Sequence, residues 1–301
     1  MKRIISTVLL LILIFALTGC NRLNDKTDNT AIETSDSETT EVPVKDTTEI
    51  PLTDVTEVSV ADDSGRIYKL ENNVLYGKGE NYEGILGEKE YYDKWIKIAE
   101  DVKMFDAYAS VLIYLTTDGK VYGCGKKSGG VLQIRTDPLD FEGKEDKPVL
   151  LFDDCKHISL GCRFVLAQKN DDSVWFWGES LNGQSTQIVD QIITPVKIVE
   201  QAKMIKAIMY TTAWIDTNNT LYMCGDNSRA QIGNGKKGTG FPTMQKDIFE
   251  NPYPVIEKCV NVYCSEDRHF VYADTEDGST YVWGGNEYTK PTNIKNINNT
   301  Q

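Results

Sequence analysis

Short apolar runs of four to seven residues, separated by polar turn pairs, recur along most of the chain. In the clearest stretch, Lys203 to Met209 and Thr212 to Asp216 are strand-like, Asn218-Asn219 interrupts, and Leu221 to Cys224 resumes before Gly225. Runs of this length, bounded by turn residues, predict β-strands. The phrase around that glycine occurs five times: LYGKGENYEGILG from Leu75, VYGCGKKSGGVLQ from Val121, VWFWGESLNGQ from Val174, LYMCGDNSRAQIG from Leu221 and YVWGGNEY from Tyr281. The equivalent glycines, Gly79, Gly125, Gly178, Gly225 and Gly284, are 46, 53, 47 and 59 residues apart. A period of about 50 marks a propeller or solenoid built from one small unit.

The grammar inside each unit is constant. A turn pair falls at the same place in every copy: Asn72-Asn73, Asp118-Gly119, Asp171-Asp172, Asn218-Asn219 and Asp277-Gly278. These residues tolerate positive φ, which a two-residue hairpin requires. A last short strand is expected at Trp95 to Ile98, Pro148 to Phe152, Pro195 to Val199, Pro254 to Ile256 and Pro291 to Ile294. Four of these begin at proline, which suits a strand edge where no ladder hydrogen bond is lost. Four strands per unit is the make-up of a propeller blade.

Trp177-Gly178 and Trp283-Gly284, together with Asp226-Asn227-Ser228 and Gln231-Ile232-Gly233, resemble the repeats of the regulator of chromosome condensation family. Its typical unit ends in Trp-Gly followed by a polar stretch with Gly, Gln, Leu and Gly. Lys78, Cys124 and Cys224 replace the tryptophan here. The likeness runs over residues 55 to 298 and implies a β-propeller; similar bacterial proteins include inhibitors of β-lactamase. The family's usual number is seven blades, whereas five units of about 48 residues use up the chain after residue 60. The expected fold is therefore all-β, a propeller of about five four-stranded blades, with an incomplete or distorted ring as the alternative. Closure would come from the first unit, near Val55 to Leu70, meeting the last, near Tyr281 to Ile297.

The region before the repeats has a different character. Lys2 and Arg3 precede an apolar run from Val8 to Leu17, and Leu17-Thr18-Gly19-Cys20 follows. This order reads as a secretion signal over residues 1–19, too short for a comfortable membrane span. The ending resembles a bacterial lipobox, which implies acylation of Cys20. Two or more acyl chains, at about 0.8 kcal/mol per buried methylene, give stable anchoring on the extracytoplasmic side of the cell membrane. Residues 21 to 60 contain ten acids, three bases and nine threonines without an aromatic residue. Such a segment buries too little apolar surface to offset ordering, and we read residues 20–54 as a disordered acidic linker of roughly 35 Å or more. Of the net charge of -13, the leader contributes +2 and residues 61 to 301 carry -8. No basic stripe appears, which argues against a nucleic-acid partner.

Candidate chemistry is sparse. His157 and His269 are the two histidines, and no CxxC, HxH or HExxH spacing offers a metal site. Neither GxSxG, P-loop nor dinucleotide fingerprint is present. No cofactor is expected, and both histidines read as structural. The residue before each repeat glycine reads as filler between blades. Of the six cysteines after Cys20, Cys124 matches Cys224 and Cys155 matches Cys259, two blades apart, so buried free thiols are expected. Variable loops hold Tyr82, Tyr91 and Tyr92, Asp137 to Lys147, and Lys236 to Tyr253, with Trp95 and Phe241 among their aromatics. Tyr82, Tyr91, Tyr92, Trp95, Phe241, Tyr253 and Tyr288 are the candidate binding residues, the second and fourth units holding the extra length. The leading function is a non-enzymatic, membrane-anchored module binding a protein or cell-envelope partner. The alternative is a wall-polymer hydrolase or lyase using carboxylates such as Asp153 and Asp154 or Glu276 and Asp277; β-lactamase inhibition stands behind both.

Overall fold

The computed structural model describes residues 57–61, 65–108, 110–127, 129–133, 143–240 and 247–298. Twenty strands form five separate four-stranded antiparallel sheets, each in simple sequence order. The first contains β1 (Glu57–Ala61), β2 (Arg66–Glu71), β3 (Val74–Glu80) and β4 (Tyr91–Ala99). The second contains β5 (Val102–Tyr108), β6 (Val111–Thr116), β7 (Val121–Lys126) and β8 (Lys144–Phe152). In the third are β9 (Cys155–Leu160), β10 (Phe164–Lys169), β11 (Val174–Ser180) and β12 (Val189–Val199). The fourth has β13 (Met204–Ile208), β14 (Thr211–Ile215), β15 (Leu221–Asp226) and β16 (Ile248–Ile256). The fifth has β17 (Cys259–Cys264), β18 (Phe270–Thr275), β19 (Thr280–Gly284) and β20 (Tyr288–Asn293), followed by the short helix α1 (Ile294–Asn298). This is the expected five-bladed, four-stranded propeller architecture. β1 begins at Glu57, after the linker expected over residues 20–54, which lies outside the described residues.

Two local expectations need correction. The outer strands begin well before their prolines, so Pro148, Pro195, Pro254 and Pro291 lie inside β8, β12, β16 and β20. An outermost strand has one open edge, and proline costs no ladder bond when its missing N–H would face outward. The hairpins also differ. Asn72 and Asn73 both have positive φ and form the two-residue turn, but elsewhere only the last loop residue does: Gly119, Asp172, Asn219 and Gly278. Gly119 N–H donates to Thr116 O at 3.0 Å and Thr116 N–H to Lys120 O at 2.9 Å, the three-residue arrangement of a type I turn closed by a left-handed residue.

The repeated glycine solves a steric problem. Its φ is +105° to +114° in all five blades, and a Cβ there would meet a backbone carbonyl at 2.3 to 2.4 Å: Gly65, Ser110, Arg163, Tyr210 or His269 in turn. That carbonyl accepts the N–H of the residue after the glycine, for example Glu179 N to Arg163 O at 2.8 Å and Asp226 N to Tyr210 O at 3.0 Å. The pairing with the outer strand slips at the same place in every blade. The glycine is thus a β-bulge held against the preceding loop.

Blades join through three repeated devices. The first N–H of each inner strand donates to the previous blade's turn: Val102 to Asn73, Cys155 to Gly119, Ala202 to Asp172 and Cys259 to Asn219, at 2.8 to 3.0 Å. Four buried apolar clusters fill the four junctions, such as Ile113, Leu115 and Val131 of blade two against Ile158, Val165 and Trp177 of blade three. The residue before the glycine plugs each junction, as expected of it. Trp177 Nε1 donates to Val131 O at 2.7 Å and Trp283 Nε1 to Gln231 O at 2.6 Å, while buried Cys124 and Cys224 occupy the same place. Among the described residues no fifth cluster links blade five to blade one. Lys78 stands at blade one's plug position, 4.6 Å from the Trp95 ring, and only Gly285 to Glu287 separate β19 from β20.

Gly178→Ala should cost more stability than Gly278→Ala. A Cβ at Gly278 meets nothing within 4 Å, so about 1–2 kcal/mol of left-handed strain is expected there. At Gly178 the carbonyl clash adds to strain, for a loss of about 3 kcal/mol or more. Urea unfolding of the two variants measures the difference, and equal losses would contradict the steric account.

Candidate binding groove

A concavity of about 740 Å³ lies between the loop of blade one, residues 81–90, and the outer strand β8 of blade two. The loop has its shape because Asn81 ties it internally. Asn81 Nδ2 donates to Gly87 O at 2.9 Å and to Lys89 O at 2.8 Å, while Leu86 N–H donates to Asn81 Oδ1 at 2.8 Å. Ser180 and Asn227 accept the N–H five residues on in blades three and four, so this is a feature of the unit. Arg66, fully buried, pairs with Glu83 at 2.6 Å and anchors the loop to β2. Lys144 Nζ donates to Tyr82 O at 3.1 Å, joining the two walls.

The floor is apolar, with Ile85 and Leu86 buried beneath it and Ile98 and Pro148 alongside. The walls alternate in charge: Glu88 and Glu90 on the loop side, Lys144, Asp146 and Lys147 on the β8 side. Tyr82 stands at the rim with 63% of its surface exposed, and Leu150 two residues beyond Pro148 is 56% exposed. A mixed lining, with Ile98 and Pro148 beside both signs of charge, suits a chain laid across it, bound by side-chain burial and rim pairing.

The sequence-predicted residues divide into groups. Tyr82 lines the groove, Tyr91 is exposed immediately after the groove residue Glu90, and Tyr92 supports the loop by accepting Lys89 N–H on its hydroxyl at 3.1 Å. Trp95 lies elsewhere, sandwiched by Lys69 at 5.1 Å and Lys78 at 4.6 Å. Tyr253 is partly exposed on β16, whereas Tyr288 packs against the core between blades four and five. Phe241 and Cys20 lie outside the described residues. The extra length of the fourth unit serves docking. Gly235 N–H donates to Thr289 O at 2.8 Å, Asn286 N–H to Arg229 O at 2.9 Å and Gly238 N–H to Asn286 Oδ1 at 2.9 Å, all joining that loop to blade five. Sequence reasoning missed Ile98 and Pro148 as groove residues, having placed them only as strand; a floor shared between consecutive blades has no local signature.

At the far ends of the inner strands the blades are locked together by Arg268. Its Nη1 donates to Leu160 O at 2.6 Å, its Nη2 lies 3.4 Å from Asp106 Oδ1, and the guanidinium sits 4.2 Å from the Tyr108 ring centroid. Asp106 also accepts Leu160 N–H at 2.8 Å. Blades two, three and five meet there, and Tyr108 reaches blade four through Met209 Sδ at 3.0 Å.

The carboxylate pairs considered for catalysis lie in turns. Asp277 is held below the usual carboxylate range by hydrogen bonds from Thr275 and Ser279, and Asp154 accepts Asn170 Nδ2 at 2.7 Å. Two carboxyls are pushed upward by burial, Glu179 and Asp226. Glu179 is paired with Arg163 at 3.2 Å, and Asp226 is 1% exposed and saturated by Ser228 and Gln231. Both support their own bulge, away from solvent, and make poor proton donors to a bound polymer. His157 lies in β9; His269 sits beside β18, 3.2 Å from Asp267, its pKa lowered first by burial. Among the described residues no group of three His, Cys, Asp or Glu side chains could hold a metal ion.

The sheets together define a β-propeller. No protein-family model matches the sequence. Among solved structures, human WBSCR16 is similar over 81% of this chain and 67% of its own, with 14% identity and a TM-score of 0.63. Prp20p from Saccharomyces cerevisiae, in a study of its binding to Gsp1p and histones, gives 16% identity and a TM-score of 0.62 over 78% of this chain and 64% of its own. Yeast RCC1 (Prp20) bound to Kap60 gives 19% and 0.63, covering 78% and 60%. The chain therefore spans about three fifths to two thirds of the length of these propellers and shares their fold.

All six cysteines of the folded residues are free thiols, five of them buried. Burial pushes Cys124, Cys155 and Cys224 up to about 12 and Cys259 to about 11. These thiols stay protonated in the folded protein at a pH where the unfolded chain has lost its protons. Their stabilising contribution is complete below about pH 9 and disappears as pH rises toward 12. Unfolding free energy should fall across that window, and native protein should leave the five buried thiols unmodified by a thiol reagent that labels all six in denaturant. Rapid native labelling of Cys124 or Cys224 would contradict their placement. Arg268→Met should cost about 3 kcal/mol by leaving Asp106 without its cation, and adding Asp106→Asn should recover part of it. A thermal-unfolding cycle on the two sites reads this coupling.

Proposed function

We propose that the chain is a binding module held outside a cell membrane by lipidated Cys20 and an acidic linker, engaging a protein or cell-envelope partner through the groove between blades one and two. The observation that carries this reading is the groove, where exposed Tyr82 stands with Ile98, Pro148 and side chains of both charges, and exposed Tyr91 and Leu150 lie close by in sequence. Aromatic residues on a pre-shaped loop supply contact area at low entropic cost. Prp20p was studied for binding to Gsp1p and histones, and the yeast RCC1 structure contains Kap60, which supports a propeller scaffold as a carrier of protein interfaces. The lipobox and linker supply the means of presentation.

A photoreactive residue placed at Tyr82 in living cells should trap a discrete partner, and one at Lys120, on a hairpin turn, should not. Tyr91→Ala combined with Leu150→Ala should weaken capture at Tyr82 by about tenfold, as expected when exposed anchors are removed. Equal capture at both positions, or none at Tyr82, would sink the groove assignment. Separately, palmitate should label the wild-type chain and not Cys20→Ala.

A further inference from the structure

The inner strands carry a second bulge, distinct from the glycine one. Pairing slips at Lys103 between Val102 and Met104, at Lys156 between Cys155 and His157, and at Val260 between Cys259 and Asn261. In blade four Lys203 holds the matching place just before β13, its N–H donating to Ile215 O at 2.7 Å. A bulge re-aims the side chain it carries. Blades two and three use it, and blade four the matching position, to bring a lysine to one spot, where Lys103, Lys156 and Lys203 line a cavity of about 210 Å³ with His157, Met204 and buried Gln168.

The charges there are under-compensated. Lys103 Nζ donates to Lys156 O at 3.0 Å, Lys203 Nζ to Asn219 Oδ1 at 2.5 Å, and Lys156 pairs with Asp172, the one carboxylate among the described residues bonded to any of the three. An ammonium has three protons, so each keeps donors for a ligand. Three cations converge, with one anion paired to them, in a chain of net charge -13. The volume of about 210 Å³ holds a phosphate group together with several waters. We propose that this cavity binds a phosphate group, free or within a phosphodiester, with Lys103, Lys156 and Lys203 as its donors. The site is separate from the groove and from the Arg268 lock, and does not depend on the partner reading above.

Calorimetric titration of the full chain at low ionic strength, with inorganic phosphate and with a short glycerol-phosphate oligomer, tests the assignment. Saturable binding of either probe, weakened about tenfold or more in Lys103→Gln/Lys156→Gln/Lys203→Gln and unchanged in the control Lys97→Gln, is expected for charge-assisted contacts. Binding of phosphate alone identifies a free anion as ligand; tighter binding of the oligomer identifies a phosphodiester. Val260→Lys places a fourth ammonium at the blade-five bulge and should tighten binding, which keeps the proposal testable if the triple variant fails to fold. Absence of saturable binding by wild type to both probes, or a triple variant that is folded and binds equally well, overturns it. Capture at Tyr82 would be unaffected by either result.

Discussion

The structure depends on one crowded contact, the α-carbon of the repeat glycine set against a backbone carbonyl from the loop before the blade's second strand. Because φ lies near +110° and a Cβ would stand 2.3 to 2.4 Å from that oxygen, no other residue fits without moving the backbone. The contact has consequences on both sides. It bends the third strand, so pairing with the outer strand loses register there. It also launches the connecting loop away from its own sheet, toward the next blade, where Gly183 meets Glu250 and Gly235 meets Lys290. The arms that join blades, and the groove under one of them, follow from a bulge that only glycine allows.

Each junction is then a plug and an arm. The plug is the residue before the glycine, and the arm is the previous blade's loop, whose carbonyl receives the Trp177 or Trp283 indole N–H. Where cysteine replaces tryptophan, the smaller side chain still sits fully buried, and Cys224 Sγ lies 3.5 Å from Gln184 O. Directional reuse of one interface means that the two ends differ in kind. Blade five offers a three-residue connection in place of an arm, and blade one offers Lys78, stacked over Trp95, in place of a plug. A lysine at a buried plug position would be costly to desolvate. Its presence fits a first blade that, among the described residues, lacks the plugged junction the other four share.

The architecture was legible because five copies of one grammar reinforce each other: glycine spacing, turn pairs and apolar runs all name the same unit. Details decided by register were not. Pro148 and Pro195 suggested strand starts, since sequence alone does not reveal which edge of a strand is open. The turn pairs were located correctly but their geometry varies, because a three-residue loop and a two-residue one place similar residues at the left-handed position. Among candidate binding residues, Tyr82 and Tyr91 were legible as exposed aromatics in a variable loop, and Tyr288 looked alike but serves the core. Trp95 and Tyr82 are close in sequence, yet Tyr82 lines the groove while Trp95 packs against Lys69 and Lys78.

The two bulges also show where this scaffold is free to vary. At the outer bulge sterics leave one choice, and all five blades make it. At the inner bulge the fold imposes no such choice, because Val260 occupies the same irregularity in blade five, half exposed, without disturbing the link from Cys259 N–H to Asn219 O. Lysine is therefore not required there for folding, yet it recurs in three successive blades around one small cavity. A scaffold that repeats by necessity at one bulge and by preference at the other separates what stability demands from what it merely tolerates. The lysines belong to the second kind, and their recurrence around one cavity is what an anionic ligand would account for.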